Sequence, residues 1–294
     1  MTVRRGDALA RRWEVARYRW LLPLTTVGGG TGVVYSRLCA HVERALDAHR
    51  RAVAVERIAR WLEVAPVRAQ DIYFDALCSE AREESDSRRL VAGRTGLPTM
   101  CATLAPEPVH SGPVIWATLH FGSPVLAYLH LRRARGLDVQ IVGRPLDDDN
   151  PMSDAKRAWG RRKVAWLERQ SGLPLLGVSA EATSLARTRL LKGGSICVLM
   201  DVPGDVVARS VTLSLCGERV SLAAGIFLLA GMVGVPVLPI AVVHRGGRFE
   251  LHYGRPIAPS PGRVPEADVA RALAAFLLTM PGEWWLWPYL PSAA

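Results

Sequence analysis

From about residue 112 onward, short apolar runs alternate with longer amphipathic stretches, and this constrains the chain more than any other feature. Buried strands joined by surface helices make βαβ units, and βαβ units make a mostly parallel sheet. "PVIWATL" reads as a buried strand, and "SPVLAYLHLRRARG" as the helix after it, with Ser123 at the N-cap, Pro124 at the first helical position and Gly136 as the stop. "DVQIVG" is the next strand and "MSDAKRAWGRRKVAWLERQSG" a basic amphipathic helix. In a second unit, "SAEATSLARTRLLKGG" is a helix capped by Ser179, and "SICVLMD" is a strand that ends on Asp201. "SLAAGIFLLAGMVG" is expected to be a small-residue helix capped by Ser221. "VPVLPIAVVH" follows as a buried strand, "RFELHYG" as its antiparallel neighbour across the "RGG" turn, and "EADVARALAAFLLTM" as a last helix before "EWWLWPYLP".

The N-terminal part has a different texture. Residues 35 to 92 carry helical patterns such as "IARWLEVA" and "DIYFDALCSEA", with many Arg and Glu on the outward faces. The organisation expected is one domain over residues 1–294, with a mainly helical part at 1–105 beside an α/β core at 106–294. "WLLPLTTVGGGTGVVYS" follows a basic lead, but Pro23 and the Gly28, Gly29, Gly30 triplet interrupt it. A signal peptide wants a compact apolar block, and a spanning helix about 20 strongly apolar residues. The stretch therefore reads as a loop between helices or an interfacial contact.

The formal net charge of +10 is carried almost wholly by arginine, since Lys156, Lys163 and Lys192 are the three lysines. It fits either a GC-rich coding sequence or a surface facing phosphate-bearing partners such as lipid headgroups or carrier proteins. No basic block interleaved with aromatics occurs, which disfavours nucleic acid. Cys39, Cys78, Cys101, Cys197 and Cys216 form no CxxC pair and no cluster at metal spacing, and they point to a reducing cytoplasm with no disulfide framework.

In open α/β sheets, reactive groups gather where strands end and helices begin. His120 and Asp201 both fall at expected strand C-termini, so one crevice can hold both. A lone histidine at such a place also serves structurally, by bonding a loop carbonyl.

"LHFGSPV", then "VGRPLDDDNPM", "LLKGGSICVLMDVPGD" and "VSLAAGIFLLAGMVGVPVLPIAVVHRGGRFELHYGRPI" together resemble the bacterial lipid A biosynthesis acyltransferase family, the lauroyl and myristoyl transferases, which includes the mycobacterial phosphatidylinositol mannoside acyltransferases. The similarity covers roughly residues 110 to 290, in order. It implies a glycerolipid acyltransferase-like α/β fold, a mixed, mostly parallel sheet flanked by helices. It also implies transfer of an acyl group from an acyl carrier protein or coenzyme A thioester to a hydroxyl, with His120 as general base and no metal or organic cofactor. Arg144 would then bind a phosphate or polarise a carbonyl, unless it closes on Asp147, Asp148 or Asp149. Asn150 matches the family's Asn-Pro element. Arg161 and Arg162 would contact the donor's phosphopantetheine or the acidic face of the carrier, or simply form a solvated helix face. Gly217 matches a turn before a helix. Backbone amides near Gly122 and Ser123 are the candidate oxyanion site.

The family pattern places an Asp or Glu five positions after the histidine, and here that position is Val125. Three accounts remain open. An acid from elsewhere replaces it, Asp201 first, Glu181 second and Asp205 third; the acceptor is an amine or other good nucleophile, as in lipopeptide or secondary-metabolite biosynthesis; or the site is degenerate. The function expected is acyl transfer to a hydroxyl or amine of a lipid, glycolipid or secondary-metabolite acceptor, by a cytoplasmic protein with peripheral contact at the inner face of the cell membrane. The rival is a non-catalytic module that docks an acyl carrier protein or a membrane surface.

Overall fold

The computed structural model describes residues 5–28, 30–96, 102–103, 112–143, 146, 152–177, 179–204, 207–245 and 248–289. Helices make up most of the described chain up to Val91. α1 (Arg5–Ala16) runs through a π-helical turn (Arg17–Leu21) into the short α2 (Leu22–Leu24), and α3 (Thr31–Leu46), α4 (Ala48–Leu62) and α5 (Pro66–Val91) follow. The breaks have local causes. The Thr25 and Thr26 hydroxyls donate back to the carbonyls of Leu22 and Pro23 at 2.7 and 2.9 Å, so the chain leaves the helix in a turn. Asp47 caps α4 by accepting from the Arg50 amide at 2.9 Å. Glu63, left-handed at φ 53°, ends α4, and Pro66 at the first helical position starts α5.

The α/β part contains β1 (Ala102–Thr103), β2 (Ile115–Thr118), α6 (Pro124–Leu129) with a π-helical extension (His130–Ala134), β3 (Val139–Ile141), α7 (Asp154–Ser171), α8 (Ala180–Leu191) and β4 (Ser195–Leu199). It continues with β5 (Ser210–Leu215), β6 (Glu218–Ala223), α9 (Gly225–Val233), β7 (Val237–Arg245), β8 (Arg248–Tyr253) and α10 (Glu266–Thr279). Among the described residues six strands form one sheet in the order β1-β8-β7-β2-β4-β3. β7, β2, β4 and β3 are mutually parallel, and β8 runs antiparallel to β7, so the mixed, mostly parallel sheet flanked by helices is as expected. β2 is covered on both sides. Ile115, Ala117 and Leu119 pack into one apolar cluster, Val114 and Trp116 into the other. That double burial is why the strand reads as an unbroken apolar run, and each such large side chain contributes roughly 1.5–3 kcal/mol.

Two expectations fail in one place. The helix predicted to start at Ser221 starts at Gly225, because residues 218–223 form β6, antiparallel to β5. Val220 and Leu222 are buried while Arg219 is exposed, a period of two and not of 3.6. The hairpin turns on Cys216 and Gly217, both at positive φ (50° and 78°), the geometry suited to two-residue hairpins. Ser221 is therefore a strand residue, and Gly217 does not precede a helix N-terminus. Among the described residues no helix is long and apolar enough to cross a membrane.

Candidate active site

The register of the central strands explains how His120 meets Asp201. β2 and β4 are parallel neighbours, with Ile115 opposite Ile196 and Thr118 opposite Leu199. Two residues beyond that last pair, the two chains reach His120 and Asp201 side by side. His120 Nδ1 lies 3.0 Å from Asp201 Oδ1. The His120 backbone amide also donates to Asp201 Oδ2 at 2.8 Å. Asp201 is fully buried, and a carboxylate out of water is tolerated only when its lone pairs are met. A third donor completes the set: Trp284 Nε1 donates to Oδ2 at 2.9 Å. Nothing in the local sequence of this tryptophan-rich segment marks Trp284 as a partner of Asp201.

That segment also fixes the backbone around the histidine. The Trp285 amide donates to the His120 carbonyl at 3.0 Å, and the Gly122 amide donates to the Glu283 carbonyl at 2.9 Å. Ser79 on α5 donates to Glu283 at 2.6 Å and accepts from Trp285 Nε1 at 3.3 Å, tying the segment to the helical layer. Trp284 and Trp287 are buried against each other and against Trp61, in aromatic contacts worth roughly 0.5–1.5 kcal/mol each. Trp284→Phe removes the indole donor and leaves Oδ2 with the His120 amide alone. A loss of about 1–3 kcal/mol is expected in a denaturant titration; wild-type stability in the variant would mean that the indole bond contributes nothing to holding the carboxylate.

The amides of Gly122 and Ser123 are not an oxyanion site. The Ser123 amide donates to the Val242 carbonyl at 2.7 Å, and the Gly122 amide is held by Glu283, so both are already committed. Ser123 Oγ instead caps α6 by accepting from the Leu126 amide. Val125, at the position where an acid was sought, is buried in the apolar cluster of Leu126, Trp116 and Leu90. Glu181 is exposed on the first turn of α8, and no hydrogen bond joins it to His120. Arg144, Asn150 and Asp205 lie outside the described residues. Arg161 and Arg162 are exposed on α7, where Arg161 Nε donates to the Leu146 carbonyl at 2.7 Å; no bond among the described residues joins either to His120.

The lysines of α7 do turn inward. Lys156 Nζ lies 3.6 Å from Glu80 Oε1, and Lys163 Nζ 3.3 Å from Glu83, both acids on α5. Burial pushes the Glu80 carboxyl up, but Lys156, Arg17 and His120 outweigh it and the net shift is downward. Burial alone would lower the His120 pKa; the Asp201 charge and hydrogen bond, with Glu80 in support, raise it overall. A carboxylate oxygen can only accept, so Nδ1 is the protonated nitrogen facing Asp201, and Nε2 carries no hydrogen bond among the described residues. The imidazole is 28% exposed and its ring meets Trp285 edge-on at 6.2 Å. Such an imidazole can accept a proton at Nε2 while its charge is compensated at Nδ1. An open groove of about 480 Å³ lies elsewhere, lined by Asp138, Gln140, Arg189 and Lys192 at the opposite ends of β3 and β4. Among the described residues no group of three or more His, Cys, Asp or Glu is placed to hold a metal ion. No protein-family model matches the chain, and no curated protein matches it.

Proposed function

We propose that the protein is an acyltransferase of the glycerolipid acyltransferase type, moving an acyl group from an acyl carrier protein or coenzyme A thioester to a hydroxyl or amine acceptor. The observation that carries this reading is the hydrogen-bonded pair of His120 and the buried Asp201, with Nε2 left unbonded. Of the three accounts of the missing acid, replacement from another strand is the one this geometry favours. The sequence likeness over residues 110 to 290 supports the choice of acyl chemistry.

Nε2 takes the proton of the acceptor hydroxyl or amine as its heteroatom attacks the thioester carbonyl. Asp201 compensates the imidazolium that forms. The tetrahedral intermediate collapses with cleavage of the carbon–sulfur bond, and Nε2 returns its proton to the leaving thiolate. The thioester is already activated and proximity contributes independently, so no metal or organic cofactor enters this scheme. Arg144 and Asn150 are assigned to substrate binding through the likeness alone, and Arg161 and Arg162 to the donor's phosphates or the carrier's acidic face. Lipid or glycolipid acceptors follow from the same likeness, secondary-metabolite acceptors from the Val125 that stands in place of the family's acid, and the cytoplasm from the cysteine usage.

The test is thiol release from acyl carrier protein and acyl coenzyme A donors, with intact-mass detection of the acylated acceptor. His120→Ala is expected to lower turnover about 10²- to 10⁴-fold while leaving fold and donor binding intact. A turnover indifferent to His120, or absent with every donor, would leave a carrier-docking module as the better reading; thiol release independent of acceptor would make it a hydrolase.

A further inference from the structure

The hairpin formed by α1, the π-turn, α2 and α3 has two apolar faces. Its inner face, with Tyr18, Leu22, Tyr35 and Cys39, packs onto Ala81 of α5 and Trp159 of α7. It is locked there by Arg17, which pairs with Glu43 and Glu84. The outer face at the turn carries Trp20, Leu24, Val27, Val33, Val34 and Leu38, all exposed, Val27 at 80% and Val34 at 69%. The Thr31 hydroxyl joins the two arms at the turn, donating to the Thr25 carbonyl at 3.0 Å and to the Gly28 carbonyl at 2.6 Å. These side chains form an apolar tip. Contiguous exposed apolar surface of this kind marks an interaction site.

The charge around the tip selects the occupant. Arg11, Arg12, Arg19 and Arg37 are exposed on the same hairpin, and the Arg19 guanidinium lies over the Trp20 ring at 5.7 Å. Between residues 9 and 42 the one acid is Glu14, and it accepts from the Ser153 amide at 3.2 Å. Arg19 and Arg37 sit four or five positions behind Leu24 and Val33, roughly 6 to 8 Å along a helix axis. A helical element in a bilayer interface buries its apolar side by about 5–10 Å, leaving such arginines at the headgroup level, where each contributes about 1 kcal/mol with anionic lipid. A second copy of the chain is a poor occupant, because a two-fold contact through this tip sets arginines against arginines. We propose that the hairpin tip docks the protein on an anionic membrane surface, with Leu24, Val27 and Val34 inserted and Arg19 and Arg37 on the lipid phosphates. This stands apart from the proposed chemistry, since none of these side chains touches His120.

The experiment is co-sedimentation of the full chain with vesicles of phosphatidylcholine alone, or of phosphatidylcholine with about one-third phosphatidylglycerol. Partitioning is expected onto the anionic vesicles and is expected to weaken with salt. The triple variant Leu24→Ser, Val27→Ser, Val34→Ser lowers it about tenfold or more, and the double variant Arg19→Glu, Arg37→Glu about thirtyfold or more. All five positions are exposed, so melting temperatures stay at the wild-type value and, under the proposed function, thiol release from a water-soluble donor without vesicles is unchanged. Equal partitioning of wild type and variants, or equal affinity for neutral and anionic vesicles, overturns the proposal. So does a dimer in sedimentation velocity that the serine variant dissolves, which assigns the tip to a second copy.

Discussion

Asp201→Asn is expected to lower thiol-release turnover by about 10³- to 10⁴-fold, the scale seen when an orienting carboxylate is lost from a histidine-centred triad. The physical cause is tautomeric. The carboxylate accepts from Nδ1 and leaves the lone pair on Nε2; an asparagine amide can donate to Nδ1 instead, moving the imidazole proton to Nε2 and removing the base. The pH dependence gives a second readout with a definite sign. In the wild type Asp201 and Glu80 raise the His120 pKa against burial, so turnover rises with pH through an apparent pKa above the ordinary histidine value of about 6.5. With Asp201 neutral, burial is left as the leading influence, and the limb moves to lower pH. Stability runs the other way. A histidine whose folded pKa is raised contributes stability that is fully present below the unfolded value and is lost as pH rises through the folded one. Unfolding free energy measured against pH should decline in that window for the wild type and lose the decline in Asp201→Asn. A variant with wild-type turnover and an unmoved profile would sink the dyad.

Gly122→Ala has the largest expected effect on stability. Gly122 sits at φ +55°, which an L side chain adopts at a cost, and a Cβ there would fall well inside contact with the Val242 carbonyl oxygen and 3.0 Å from its carbon. That carbonyl accepts the Ser123 amide, so backbone must shift and the amide loses its partner. A loss of about 3 kcal/mol or more follows, a fall in Tm of about 6 °C or more, read by circular dichroism. Gly136 is the control. It too has positive φ, at 62°, but nothing surrounds its Cβ position, so Gly136→Ala costs only the backbone conformation, about 1 kcal/mol. Equal losses at the two positions would mean that the turn after His120 gives way freely.

The local signals in the sequence were good guides where the physics is local. The Ser123–Pro124 cap, the apolar run before His120 and the placing of Asp201 at the end of the next parallel strand all follow from neighbouring residues, and parallel register then brings the two side chains together. The β5–β6 hairpin was missed because "SLAAGIFLLAG" has strong helical character from Gly225 onward, and the period-two burial of Val220 and Leu222 spans too few residues to compete. The oxyanion assignment to Gly122 and Ser123 failed because availability of an amide depends on carbonyls distant in sequence, those of Glu283 and Val242. Trp284 was invisible as a site residue for the same reason: it reaches Asp201 across 83 positions. The inward turn of Lys156 and Lys163 depends on which helix lies opposite, and α7 taken alone shows only a basic face.

The clamp on the histidine turn bears on how the chain is made. β2, α6, β3 and β4 are all synthesised before Glu283, Trp284 and Trp285, so a nascent chain can assemble its central strands while Asp201 still lacks the indole donor and Gly122 its carbonyl. Until the segment docks, the carboxylate lacks one of the donors that its burial calls for. Packing of Trp284 and Trp287 onto Trp61 supplies that donor and brings the Glu283 carbonyl and the Trp285 amide to the histidine turn. The surroundings of His120 and Asp201 thus reach their final geometry only after the segment around Trp284 has folded back across chain made long before it.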